Sequence, residues 1–291
     1  MAGANTVRAG VPGLTTGRVA GVCQCGGNVA LWLLDLDGVM WRGPEPIAGS
    51  AEAVGELLRR GDRVVFCTNH ATSPELKEER LRSAGVPPCP VVTSADAAAT
   101  RCRDLGAVLV LGDATLVGHL RSSGLDATGA AEAAERGRAV SYGAVVVGAN
   151  ETWDRVLAGL AADAVRDGAR FLATNDDPTF PTVGPAGPHL LPGNGALVAA
   201  VAVAAGRGAE VVGKPHAPMA EVIVDRHGPV DVVVGDVSST DGALATALGA
   251  RFGLVLSGVT ARTALPVEPT PWRVADDLAT LVDASADGGR R

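Results

Sequence analysis

Short apolar runs recur along this chain, and several stop abruptly at a polar or acidic residue. Residues 30–34 (Ala-Leu-Trp-Leu-Leu) end at Asp35, 64–67 at Thr68-Asn69, and 232–234 at Gly235-Asp236. Longer helix-type segments lie between them: 50–60 with Gly61 as a stop, one opened by Ser73-Pro74, and one from Ser94 through Arg103. Strand-length apolar runs alternating with helices are the pattern of βαβ units, so the fold class expected is α/β, with a doubly wound parallel sheet.

The same grammar continues through the middle of the chain. Residues 108–111, 144–147 and 171–173 are strand candidates with helices between them. Residues 178–192 are dense in Pro and Gly and read as a connector. A helix over 196–205 and strands at 211–212, 232–234 and 254–256 follow. The organisation expected is a discontinuous core domain, residues 29–106 and 190–285, interrupted by a smaller α/β unit over 107–189. Residues 1–28 are expected to be a flexible leader. With 291 residues, two modest domains are accommodated.

Composition removes several function classes. Lys and Arg number 25 against 32 Asp and Glu, a net charge of −7 with no basic run, which argues against a nucleic-acid partner. A hydrophobic content of 47% supports a packed core rather than disorder. No apolar stretch approaches the roughly 20 residues needed to span a bilayer, and the first 28 residues lack the apolar block of a signal peptide, so no membrane partner is expected. Cys23, Cys25, Cys67, Cys89 and Cys102 are an odd set without paired spacing. Cys23-Gln24-Cys25 has no second ligand pair for zinc, and reduced thiols in a cytoplasmic protein are expected.

The chemistry gathers where strands end, which in open α/β sheets is where ligands bind. The first strand delivers Asp35-Leu36-Asp37-Gly38-Val39 and the second delivers Thr68-Asn69. A late loop brings Gly213-Lys214-Pro215, and a late strand brings Gly235-Asp236 with Asp241 five residues on. Asp35, Asp37 and Asp236 together cannot all stay ionised without a counter-charge. A divalent cation meets that need, and all-oxygen ligation suits Mg²⁺. A lysine beside it suits a substrate phosphate. Gly193-Asn194-Gly195 does not make a dinucleotide loop, because Val198 occupies the third glycine position and no strand precedes it.

These four segments, in this order, resemble the motifs of the haloacid dehalogenase-like superfamily. Ala173-Thr174-Asn175-Asp176, Pro192-Gly193-Asn194-Gly195-Ala196 and Trp41-Arg42-Gly43 resemble its NagD-like and 4-nitrophenylphosphatase-like branch, which carries a C2-type α/β cap. The resemblance implies a Mg²⁺-dependent phosphatase acting on a small phosphomonoester: a sugar phosphate, nucleoside monophosphate, phosphoglycolate, glycerol phosphate or similar. In that scheme Asp35 is the nucleophile and Asp37 the general acid and base. The metal is held by the Asp35 and Asp236 carboxylates and the Asp37 main-chain carbonyl. Thr68, Lys214 and N–H groups near Leu36, Asp37 and Asn69 hold the phosphoryl oxygens, and Asp241 orients Lys214 or a metal-bound water.

His70, Trp41, Arg42 and the loop over 173–180 are expected to face the substrate, and a homodimer through the cap is expected. Two departures stand out: Val237 replaces a usual Arg, and His70 replaces a usual Asn in the second motif. Phosphoryl transfer to an acceptor other than water, or a silent binding protein on the same fold, are the alternatives.

Overall fold

The computed structural model describes residues 29–136, 140–148, 154–184 and 187–287. Its first sheet has six parallel strands in the spatial order Arg273–Ala275, Arg251–Val255, Val232–Gly235, Leu31–Leu34, Arg63–Thr68, Val91–Thr93. This is the doubly wound arrangement, and its winding reverses between Leu31–Leu34 and Val232–Gly235. A second sheet, inserted between Val91–Thr93 and Val232–Gly235 in the chain, is also parallel. Its order is Glu210–Val211, Arg170–Ala173, Ala144–Val147, Val108–Leu111, Ala127–Gly129.

The unbroken apolarity of Leu31–Leu34 follows from helices covering both faces of its sheet. Leu31 and Leu33 pack with Val65 and Val233 on one side. Trp32 and Leu34 pack with Phe66, Val234 and the helix Ser50–Arg59 on the other, as the two-residue period of a strand requires. That helix buries Ala53, Val54 and Leu57 along one stripe. Gly49 (φ 79°) is its N-cap, and Ser50 begins the helix itself. The Ser50 hydroxyl donates instead to the Val39 carbonyl at 2.8 Å, tying the helix to the loop that carries Asp35 and Asp37.

Two expectations about the middle of the chain need correction. Residues 178–192 are not an irregular connector: Thr179–Gly184 and Gly187–Pro192 pair as an antiparallel hairpin. A two-stranded ribbon consists only of edges, where proline is tolerated, so the Pro and Gly content misled the reading. The inserted unit also runs past residue 189. The helix Asn194–Ala205 packs Leu197, Val198 and Val201 onto Leu109, Leu111, Val145 and Val147, and Glu210–Val211 is the last strand of the second sheet. Apolar periodicity reveals these elements but not which sheet they join.

Residues 1–28, including Cys23 and Cys25, lie outside the described residues. Cys67, Cys89 and Cys102 are free thiols. No helix among the described residues is long and apolar enough to cross a membrane.

Candidate active site

The reversal of strand winding leaves a crevice between two strand ends, and the chain places a carboxylate on each. Asp35 follows Leu34 directly and donates its N–H to the Val234 carbonyl (2.9 Å); Asp236 follows Gly235 on the neighbouring strand. Lys214 lies just beyond the point where the chain returns from the second sheet. Its Nζ reaches Asp35 Oδ1 and Asp241 Oδ1, each at 2.7 Å, and the Cys67 carbonyl at 3.4 Å. Lys214 is 4% exposed and Asp241 1%, so this lysine is built into the site rather than lying on the surface.

Two glycines permit the close packing. A Cβ on Gly38 (φ +79°) would sit 2.3 Å from Asp236 Oδ2, and one on Gly235 would sit 2.1 Å from the Asp241 carboxyl carbon. Asp236 is anchored from the far side by the Val259 N–H at 2.6 Å, while Thr260 Oγ1 donates to its main-chain carbonyl.

Asp35, Asp236 and Asp241 each offer a carboxylate oxygen within 4.8 Å of the others. Burial, then the charge of Asp241, pushes Asp236 up to about 6. Burial likewise raises Asp35 well above the ordinary carboxylate value; Lys214 opposes the rise, and Asp241 and Asp236 add to it. Burial alone would lower Lys214, but Asp241 and Asp35 outweigh it and keep the ammonium charged. Three crowded carboxylates with one shared lysine retain excess negative charge in a poorly solvated place. That donor set and that charge fit a hard divalent cation.

The remaining expected residues divide between reactive and supporting positions. Asp37 is exposed at the mouth of the crevice. Thr68 is buried, and its hydroxyl accepts from the His70 N–H at 3.1 Å. The N–H groups of Leu36, Asp37 and Asn69 donate to no protein acceptor among the described residues, which leaves them for an anion. The Asn69 side chain is committed elsewhere: it accepts from the Lys214 N–H (2.6 Å) and donates to the Lys214 carbonyl (3.1 Å). It therefore docks the lysine loop.

His70 is exposed, with an imidazole held below the ordinary histidine value by desolvation in the crevice and by Lys77. Trp41 is corrected outright. Its ring is 1% exposed and packed in the apolar cluster with Leu36, Val39 and Met40, and its one polar atom, the indole N–H, is committed to Asp37 Oδ1 at 2.8 Å rather than to a substrate. Arg42 is exposed, and its guanidinium is spent on the Ser257 carbonyl.

Several contributors escaped the sequence reading. The loop around Ser257–Thr260 wraps Asp236, and a Cβ on Gly258 would lie 1.8 Å from Asp236 Oδ2; the turn after the strand ending at Val255 was its only trace. From the second unit, Asn175 donates to the Asn69 carbonyl at 2.9 Å. Asp177, raised by burial, donates its N–H to Asn175 Oδ1 (3.2 Å) and lies in the field of Lys214. The loop over 173–180 thus touches the second motif, not only the substrate space. On the helix Pro74–Ser83, Lys77 lies in the field of Asp37 and Arg80 covers the ring of Trp41; nothing in their spacing marked them.

A nucleophile-ready carboxylate, an exposed acid two residues on, a charged lysine and a cation-ready cluster, all at a winding reversal, define a metal-dependent hydrolase built on phosphoryl chemistry. Comparison with known proteins extends this. Residues 32–126 match a family described as haloacid dehalogenase-like hydrolase, and residues 211–281 match a second profile of HAD-hydrolase-like proteins.

An acid sugar phosphatase of Staphylococcus haemolyticus is 32% identical over 80% of this chain and 87% of its own length. The p-nitrophenyl phosphatase of Archaeoglobus fulgidus superposes with a TM-score of 0.77 at 30% identity, over 89% of this chain and all of that one. A glycerol phosphate phosphatase of Mycobacterium tuberculosis, in complex with magnesium, gives 0.75 at 32% identity, over 87% and 76%. The chain belongs to the haloacid dehalogenase-like hydrolases, in their phosphatase branch.

Proposed function

We propose that this protein is a Mg²⁺-dependent phosphomonoesterase for small phosphate esters, working through an aspartyl-phosphate on Asp35. The observation that carries the reading is the Lys214 ammonium shared between Asp35 and Asp241 beside the third buried carboxylate, Asp236. Asp35 attacks phosphorus in line; its carboxylate O–P bond forms as the ester O–P bond breaks. Asp37 gives its proton to the departing alkoxide, then takes one from the water that attacks the acyl phosphate, releasing inorganic phosphate and restoring Asp35.

Lys214 and the free N–H groups of Leu36, Asp37 and Asn69, with the Thr68 hydroxyl, balance the charge of the phosphoryl oxygens. The Asp35 and Asp236 carboxylates and the Asp37 carbonyl would hold Mg²⁺, with Asp241 behind them; when bound, the ion neutralises charge on the transferring group. The second unit covers the crevice, and the relatives named for sugar and glycerol phosphates support a small polyol ester. His70, at the crevice mouth, is proposed as a substrate contact.

Phosphate release from 4-nitrophenyl phosphate, with Mg²⁺ and with EDTA, tests the reading. Turnover should need the metal and vanish in Asp35→Asn; turnover that survives the substitution contradicts it. A homodimer through the second unit is proposed with it, supported by the exposed Leu190 and Leu191 of the hairpin and Val203 of the neighbouring helix. A monomeric mass in light scattering would remove that part. A cytoplasmic location is proposed from the free thiols Cys67 and Cys102, both buried and each pushed up to about 12 by desolvation; recovery in a secreted fraction would contradict it.

A further inference from the structure

We propose that Trp41 is a positioning residue for proton transfer, pinning Oδ1 of Asp37 as an acceptor and leaving Oδ2 to carry the proton. The inference rests on the phosphomonoesterase reading above and adds a part that reading does not need. The indole Nε1 of Trp41 lies 2.8 Å from Asp37 Oδ1. An indole N–H only donates, and in a protonated carboxyl the carbonyl oxygen is the better acceptor, so this contact favours Oδ1 as the unprotonated oxygen. A half-turn of the carboxyl would exchange its two oxygens, and this bond disfavours that exchange.

The backbone and packing hold the donor in place. Asp37 and Trp41 bracket a tight turn in which Gly38 N–H donates to the Trp41 carbonyl (2.8 Å) and Met40 N–H to the Leu36 carbonyl (2.8 Å). The Trp41 ring is 1% exposed, packed in the cluster that includes Leu36, Val39 and Met40. The Arg80 guanidinium covers the ring at 3.9 Å from its centroid and is itself bonded to the Gly43 carbonyl. A cation over the indole face is attracted to the ring and draws electron density from it, which strengthens the N–H as a donor. Asp37 is exposed, and among the described residues no other hydrogen bond fixes its side chain.

The test compares two esters in Trp41→Phe, which keeps a ring beneath Arg80 and removes the N–H. The ratio kcat/KM covers events up to departure of the leaving group; a nitrophenolate leaves without a proton, whereas an alkoxide needs one. With Mg²⁺ present, kcat/KM for an alkyl ester such as glycerol 3-phosphate should fall about tenfold or more, and that for 4-nitrophenyl phosphate should stay nearly unchanged. Equal losses on both esters, or no loss on either, overturn the inference.

Asp37→Asn is measured in parallel. If it spares the alkyl ester, the phosphomonoesterase reading itself fails; if it abolishes that activity while Trp41→Phe does not, only the role of Trp41 falls. Should Trp41→Phe fail to fold, nitrogen-labelled tryptophan resonances in the otherwise native chain decide. One of its 4 indole N–H signals should move in Asp37→Asn; if none moves, the inference is overturned.

Discussion

Removing the metal at different pH values should reveal how much charge repulsion the site stores. Asp236 has a folded-state value of about 6 against an ordinary 3.8. A raised carboxylate binds its proton more tightly in the folded state, so its stabilising contribution is complete below 3.8 and is lost as pH rises through 6. The whole difference is about 3 kcal/mol, of which roughly half disappears between pH 5 and pH 8.

Asp35 is raised too and acts in the same direction. His70 and His227, both lowered chiefly by desolvation, act in the opposite direction and must be subtracted. The assay is urea unfolding in EDTA across pH 5–8, with Asp236→Asn as the reference that cancels the histidines. The native chain should lose stability relative to Asp236→Asn as pH rises. Mg²⁺ should restore more at pH 8 than at pH 5, because protons compete with the cation at the lower pH. A native-minus-variant difference that is flat with pH, or a Mg²⁺ gain independent of pH, would refute the reasoning.

Two further perturbations follow from single contacts. Gly38→Ala forces a side chain into a left-handed conformation, costing about 1–2 kcal/mol, and pushes its Cβ into Asp236; Mg²⁺ affinity by calorimetry should drop ~10–100-fold, and unchanged affinity would contradict the packing described. Asp96, in the first turn of the helix Ser94–Cys102, is bonded to Thr93 N–H (2.9 Å) and Arg226 (2.8 Å), with His119 of the second unit 3.5 Å away. Burial alone would raise Asp96, but these partners bring it down to about 2. Its contribution is therefore present above 3.8 and lost as pH falls through 2. Asp96→Asn should cost about 1–2 kcal/mol at pH 7, after discounting for the partly exposed Arg226, and about half that at pH 3; a loss identical at both values would count against the ion pair.

Much of the core was legible because strands buried on both faces write themselves as unbroken apolar runs, and the residue after each run must sit at a strand end. Leu34 to Asp35 and Gly235 to Asp236 show this directly. Lys214 could be placed in the site from motif order, although its two carboxylate partners could not be read from spacing. The insert was less legible. Glu210–Val211 announced itself as a strand over 211–212, but its membership of the second sheet depends on pairing with Leu172 and Ala173, which spacing does not show. Trp41 was misplaced because sequence shows an aromatic beside a reactive aspartate but not that its ring turns inward while its N–H turns back. Lys77, Arg80 and the Ser257–Thr260 loop reach the site only through the folding of separate helices and strand ends around it, which no local pattern records.

The central claim is that phosphorus becomes covalently attached to Asp35 during turnover. Acid-quenching the protein with radiolabelled phosphomonoester and Mg²⁺, followed by peptide mapping, tests it directly. A label released by hydroxylamine, as an acyl phosphate is, should appear on the peptide containing Asp35 and on none in the Asp35→Asn variant. Label on another residue, or steady turnover with no covalent label at any quench time, would contradict it.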